Sequence, residues 1–140
     1  MQKYQYLLAP ILGWLVAQSL KYAISLRKDG LQWGDVVQSG GMPSSHSALT
    51  VALTTVIGIN VGLTSVAFGI AASLTGIVLY DAMGVRRATG QQTAAIKELA
   101  SATKHTLKTQ INPAKGHTLA EITAGSVVGF LVGLIVTSVL

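Results

Sequence analysis

The chain is poor in two kinds of residue, and each shortage excludes a class of protein. It has no cysteine among its 140 residues, which excludes a disulfide framework and a thiolate metal site. Only 11% of its residues are charged, whereas a soluble domain of this size carries about 25%. Half of the residues are hydrophobic, at 50%. We therefore expect an integral membrane protein.

The apolar residues are grouped into four long segments, which predict an all-α membrane bundle of about four transmembrane helices in one domain, 1–140. The segments run from about Tyr4 to Leu26, Pro43 to Ile59, Leu63 to Met83 and Thr118 to Leu140. The first is longer than the ~7–15 apolar residues of a signal peptide, so we interpret it as a retained helix. The second is short for a crossing, which predicts that its serine-capped beginning is recessed within the protein.

Residues 84–116 form the longest polar stretch. Apolar residues recur at helical spacing from Gln91 to Leu107, which predicts a short amphipathic helix, and Asn112-Pro113 ends the pattern. Four crossings place 27–43 and 84–116 on the same side of the membrane. Nine of the ten basic residues lie in these two loops or, as Lys21, at the adjoining end of segment one. The positive-inside rule therefore predicts that this side is cytoplasmic.

A first polar cluster begins segment two: Gly40-Gly41-Met42-Pro43-Ser44-Ser45-His46-Ser47. A glycine turn that leads into a serine-capped helix offers backbone N–H groups and a positive dipole end, which together favour an anion. Ser44 and Ser45 are candidate phosphate ligands, and His46 could protonate a leaving oxygen. The alternatives are helix-capping serines and an ordinary interfacial histidine.

Charged residues at the membrane edge are the next candidates. Asp81 closes segment three, where an acid needs a cationic partner, and Arg86-Arg87 follow it. Arginine also fits a phosphate group with its planar fork, although a topology anchor is the simpler interpretation. Lys21 and Lys28 are further phosphate-binding candidates, with snorkelling as the alternative for Lys21.

The second polar cluster begins segment four. His117 and Glu121 are four residues apart, so a helix places them on one face. Glu121 could orient His117 and increase its nucleophilicity, or it could simply cap the helix. No spacing of acids and histidines indicates a metal site; a Mg²⁺ ion held by Asp81 and Glu121 is a weak alternative.

Small residues recur on two of the apolar segments. Gly125, Gly129 and Gly133 follow Glu121 at intervals of four, a pattern typical of close helix–helix contact in lipid. Segment three carries a second small-residue face, formed by Gly69, Ala72, Ser73 and Gly76. These faces could serve internal packing or a homodimer, and we expect a homodimer.

Three motifs resemble a known family: Gly-Gly-Met-Pro-Ser-Ser-His-Ser, Tyr-Asp-Ala-Met-Gly-Val-Arg-Arg and Gly-His-Thr. They are similar to the small, divergent branch related to the type 2 phosphatidic acid phosphatases and vanadium haloperoxidases. The resemblance implies a bacterial membrane phosphatase acting on a lipid phosphate or isoprenoid (pyro)phosphate. In it, His117 would be the nucleophile, Glu121 its orienting group and His46 the general acid. Arg86 or Arg87 would bind phosphate with Ser45; the supporting role of Asp81 follows from its need for a cationic partner and not from the resemblance.

Two other classes of function stay open. The chain could bind or transport a lipid phosphate without hydrolysing it, using the same anion site. It could also be a pore or assembly subunit that needs the glycine face but neither histidine. We expect no cofactor and no nucleic-acid partner, since the basic residues flank apolar segments.

Overall fold

The computed structural model describes residues 2–28, 41–103 and 116–140, and within these ranges the chain is helical, with no strand. Five helices follow one another: α1 (Gln2–Lys28), α2 (Ser45–Asn60), α3 (Val66–Met83), α4 (Val85–Ala102) and α5 (Leu119–Val139). The predicted all-α class is confirmed. Helix α2 begins just after Ser44, close to the predicted start at Pro43, and α3 ends at Met83, as predicted.

The short helix α2 lies at the centre of the bundle. It packs against α1, α3 and α5, and its most extensive interface is with α5. The residues that face these neighbours are small or β-branched: Ala48, Ala52 and Val56 are fully buried. Ser44 caps the helix, since its hydroxyl oxygen accepts a 3.4 Å hydrogen bond from the Ser47 amide. The capped beginning is buried, as the length of the segment predicted.

Helix α1 runs antiparallel to α2. A methyl group added at Gly13 would lie 2.9 Å from the carbonyl oxygen of Ala48, so the middle of α1 approaches the first turn of α2 closely. At the far end of the pair, the side-chain amide of Asn60 donates to Gln5, which is buried. A buried amide satisfied across two helices fixes their register.

Helix α5 runs parallel to α2, and the glycine face of α5 is the contact. A methyl group at Gly125 would lie 2.2 Å from the carbonyl oxygen of Ser44, and one at Gly129 would lie 2.3 Å from that of Ala48. All three glycines are buried, Gly133 included. The glycine pattern of segment four therefore serves internal packing, and this face is not available to a second copy.

Helices α2 and α3 form an antiparallel hairpin. Gly62 has a φ of 101°, a conformation that favours glycine, and Ser65 caps α3 by accepting from the Phe68 amide at 3.1 Å. The hydroxyl of Thr54 lies 2.8 Å from that of Thr75, which joins the two helices in their middle. In an apolar surrounding, such bonds favour a unique pairing of helices.

By length and composition, three helical stretches of the described residues are suited to crossing a membrane: Tyr4–Arg27, Val66–Ala102 and Leu119–Val139. The second joins α3 and α4 across Gly84. With 16 residues, α2 is about 24 Å long, shorter than the ~30 Å hydrocarbon core. Helix α2 runs opposite to α1 and α3, as a fourth helix of an up-and-down bundle does.

Helix α4 differs from its prediction in extent. It begins at Val85, six residues before the predicted Gln91, and it is described to Ala102. The early start was missed because Gly84 and the Arg86-Arg87 pair resemble a loop. Residues 104–115, which hold the predicted end of this helix and Asn112-Pro113, lie outside the described residues.

Candidate functional site

Two backbone hydrogen bonds bring the polar clusters of the sequence to one end of the bundle. The Ser44 amide donates to the Glu121 carbonyl at 2.9 Å, which joins the beginning of α2 to the first turn of α5. The His117 amide donates to the Ala82 carbonyl at 3.0 Å, which joins the segment just before the N-cap of α5 to the last turn of α3. Segments far apart in sequence therefore place His46, Asp81 and His117 at the same end.

The side chains of His117 and Glu121 are in contact at this end of the bundle. Nδ1 of His117 lies 3.1 Å from Oε2 of Glu121, and the side chains are 2% and 20% exposed respectively. An ionised carboxylate can only accept, so it holds the hydrogen on Nδ1 and leaves the lone pair on Nε2. The pair therefore holds a buried imidazole in a fixed orientation, with the lone pair on its second nitrogen.

The same carboxylate also caps α5. Glu121 Oε2 accepts from the Thr118 amide at 2.9 Å, and the Thr118 hydroxyl accepts from the Glu121 amide at 3.3 Å. This is a capping box, whose Thr-x-x-Glu signature was present in the sequence but was not used in our interpretation. Glu121 thus caps the helix, as one of its two interpretations predicted, and the same oxygen also contacts His117.

The serines that begin α2 are internal. Ser44 is fully buried, and its hydroxyl oxygen accepts from the Ser47 hydroxyl at 2.9 Å. Ser45 is 3% exposed, whereas His46, in the first turn of α2, is exposed. Because its amide is bound to Glu121 and its hydroxyl to Ser47, Ser44 acts here as a cap that fixes the two helices. The Ser44 amide is therefore not one of the free N–H groups that the sequence led us to expect.

Lys21 enters the site from the end of α1. Its aliphatic stem lies against Gly41, where an added methyl group would be 3.5 Å from Cδ of Lys21. Gly41 has a φ of 89°, so a side chain there would also be strained. The predicted cation is thus present at this end of the bundle.

The remaining candidates are located only in part. Asp81 is partly buried in the last turn of α3. Arg86 and Arg87 belong to the first turn of α4, and Lys28 ends α1, but the side chains of all three lie outside the part of the chain that the structure describes. Among the described residues, no three acids or histidines are grouped closely enough to hold a metal ion.

These features define a helical membrane bundle with a buried, carboxylate-oriented histidine at one end, next to a capped helix beginning. Comparison with family models identifies that class more closely. Residues 2–132 match the divergent PAP2 family, and the chain belongs to this family.

A similar curated protein is also a membrane protein, and its name states no chemical role. The chain is 41% identical over 96 residues to the uncharacterized membrane protein YuiD of Bacillus subtilis (strain 168). The match covers 66% of the chain and 60% of that relative. No solved structure matches the chain.

Proposed function

We propose that the protein is a membrane phosphatase that hydrolyses a lipid phosphate or an isoprenoid (pyro)phosphate through a His117 nucleophile. The observation that carries the proposal is the His117–Glu121 pair, with Nδ1 and Oε2 at 3.1 Å and the imidazole almost fully buried. A histidine that only faces water needs neither a carboxylate partner nor burial. One whose Nε2 must attack phosphorus benefits from both.

The proposed reaction has two steps. Nε2 of His117 attacks the phosphorus atom, the bond from phosphorus to the leaving oxygen breaks, and His46 gives its proton to that oxygen. Water then attacks the phosphohistidine, His46 accepts a proton from the water, and the P–N bond breaks to release phosphate. Glu121 stabilises the positive charge that the imidazole carries between the steps.

The position of the site favours a substrate that is itself in the membrane. His117 and His46 lie at the end of an apolar bundle, where the headgroup of a lipid is located. Lys21 contributes a positive charge there. Of the other proposed phosphate ligands, Arg86 and Arg87 lie in the first turn of α4, and Lys28 ends α1. A phosphate on an apolar chain would place its anion among these cations with its chain in lipid.

The test is hydrolysis of phosphatidic acid and of isoprenoid mono- and diphosphates by the purified full-length protein in mixed micelles. His117→Ala should reduce phosphate release to background, and His46→Ala should reduce it by about 10²–10⁴-fold. The change His105→Ala removes an imidazole to which no role is assigned, and it should leave the rate unchanged. Activity that survives both His117→Ala and His46→Ala would overturn the mechanism.

A second candidate function is binding or transport of a lipid phosphate without hydrolysis. The related phosphatases carry an arginine six residues before the nucleophilic histidine, and here that position is Ile111, while Arg86 and Arg87 lie some thirty residues before His117. A binder would show saturable binding of lipid phosphate that Arg86→Gln and Arg87→Gln weaken, with no release of phosphate. The hydrolysis assay separates the two functions.

We also propose that the site faces the cytoplasm of a bacterial cell. The basic residues gather at the site end of the bundle, and the turn at residues 60–62 has none. Because the chain has no cysteine, a single cysteine at Val61 or at Thr103 can be labelled alone in intact cells. An impermeant maleimide should label Val61→Cys and spare Thr103→Cys; the opposite result would reverse the orientation.

The proposed homodimer now depends on α3 alone. A methyl group at Gly69 or Gly76 would have no neighbouring atom within 4 Å, so this small-residue face is uncovered within the described chain. Ser73→Cys, on this face, should form an intermolecular disulfide in membranes, whereas Thr123→Cys, on an exposed part of α5, should not. Equal crosslinking at both positions would indicate random collision and contradict a specific dimer.

A further inference from the structure

Helix α4 has an apolar face that no part of the described chain covers. Val85, Ile96 and Leu99 are 56%, 47% and 67% exposed. At about 100° per residue, these three positions fall within roughly 60° of the helix circumference. Ile96 and Leu99 lie on adjacent turns of this apolar strip, and Val85 lies on the same side three turns earlier, with the polar Gln92 between Val85 and Ile96.

The opposite side of α4 is polar. Lys97 and Glu98 are exposed and lie, with Gln91 and Ala94, on the half of the helix away from the apolar strip. Between these two sides lies Thr93, which is only 6% exposed. Helix α4 is therefore not a fully solvated helix, because a water-exposed surface gains nothing from a strip of valine, isoleucine and leucine.

The connection to α3 limits what can cover this strip. Gly84 alone separates Met83, the end of an apolar helix suited to crossing the membrane, from Val85. Helix α4 thus begins at the membrane boundary. It carries Arg86, Arg87 and Lys97 against one acid, Glu98, for a net charge of +2. An apolar strip and a basic charge at this depth match a leaflet with anionic headgroups.

We propose that α4 is an interfacial helix that lies in an anionic membrane surface, with Val85, Ile96 and Leu99 among the acyl chains and its charged side at the headgroups. Its first residue is three positions after Ala82, whose carbonyl receives the His117 amide. Helix α4 therefore holds the lipid surface beside the candidate site. The inference does not require that the site is catalytic.

The experiment uses the full chain in vesicles of phosphatidylcholine, with or without phosphatidylglycerol. Since the chain has no cysteine, a nitroxide can be attached at one position at a time. Ile96→Cys and Leu99→Cys report on the apolar strip, and Gln91→Cys and Ala94→Cys are the matched positions on the opposite side of α4. Accessibility is measured by electron paramagnetic resonance with oxygen, which concentrates in lipid, and with a water-soluble nickel complex.

The ratio of oxygen to nickel accessibility should be several-fold higher at Ile96 and Leu99 than at Gln91 and Ala94. It should rise when phosphatidylglycerol is present, and high salt should reduce that rise. Equal nickel accessibility at all four positions would overturn the proposal. So would labels at Ile96 and Leu99 that neither reagent reaches, because a protein surface would then cover the strip. An oxygen-to-nickel ratio that does not change when phosphatidylglycerol is added would refute the preference for anionic lipid.

Discussion

Among the glycines of the described helices, Gly125 leaves the least room for a side chain, and the sharpest prediction therefore concerns Gly125→Ala. The added methyl group would lie 2.2 Å from the carbonyl oxygen of Ser44, and 3.0 Å from both its carbonyl carbon and its amide nitrogen. Ordinary contact needs more than 3 Å, and backbone atoms cannot rotate away, so α5 would have to move from α2 by about 1 Å. We expect the free energy of unfolding to fall by about 1–3 kcal/mol, the usual cost of overpacking.

The matched control, measured on protein dilute enough in micelles to be monomeric, is Gly69→Ala on α3, where an added methyl group meets nothing of its own chain within 4 Å. This change removes a helical glycine and should stabilise the protein by about 0.5–1 kcal/mol. Reversible unfolding in mixed micelles, followed by circular dichroism, measures both variants. A Gly125→Ala protein as stable as the wild type, or a Gly69→Ala protein destabilised to the same extent, would refute the close packing of α2 on α5.

The same substitution should also damage the candidate site. The Ser44 amide donates to the Glu121 carbonyl at 2.9 Å, one turn from the Gly125 contact, so separating the helices there pulls the two polar clusters apart. At Gly133 the nearest atom to an added methyl group is Cβ of Thr55, at 2.7 Å, far from the site. Gly133→Ala should therefore destabilise the fold but retain binding of lipid phosphate, whereas Gly125→Ala should lose both.

Three further changes test the polar contacts. Thr54→Val removes the 2.8 Å bond between α2 and α3 and should cost about 0.6–1.7 kcal/mol of unfolding free energy. Thr123→Val, whose exposed hydroxyl bonds only within its own helix, should cost less, and equal losses would contradict an interhelical role. Gln5→Leu leaves Asn60 without its buried partner and should cost about 1–3 kcal/mol, part of which Asn60→Leu restores; additive losses in the double-mutant cycle would refute the pairing. Glu121→Gln should keep the helix content, since glutamine fits a capping box, but shift the nitrogen signals of the neighbouring imidazole; unchanged signals would contradict the contact.

The sequence predicted the helices well because their determinants are local. Length, hydropathy and the caps at Ser44 and Thr118 lie within a few residues of the elements they define. The glycines at positions 125, 129 and 133 also predicted a close helix contact. Their partner could not be predicted, because whether such a face meets a helix of the same chain or of another is decided by the whole bundle. Here the partner is α2.

The candidate site was predictable in its members and less so in their arrangement. His117 and Glu121 were predicted to share a face of one helix; the contact forms, but His117 precedes the N-cap Thr118, so the Glu121 carboxylate meets it by folding back over the beginning of α5. The role of the Ala82 carbonyl carried no sequence signal, because every residue has a backbone carbonyl and only the docking of α5 on α3 selects this one. The Ser44 hydroxyl was predicted as a phosphate ligand or a cap, and its full burial favours the cap.

The most direct test of the proposed chemistry is to trap the covalent intermediate. The full-length protein would be mixed with a radiolabelled lipid phosphate, quenched rapidly in alkali, in which phosphohistidine is stable, and mapped by mass spectrometry. We predict label on His117 in the wild type, its accumulation in His46→Ala when the leaving group needs no protonation, and its absence in His117→Ala. Phosphate release by the wild type with no label on His117, or with label on another residue, would contradict the histidine nucleophile.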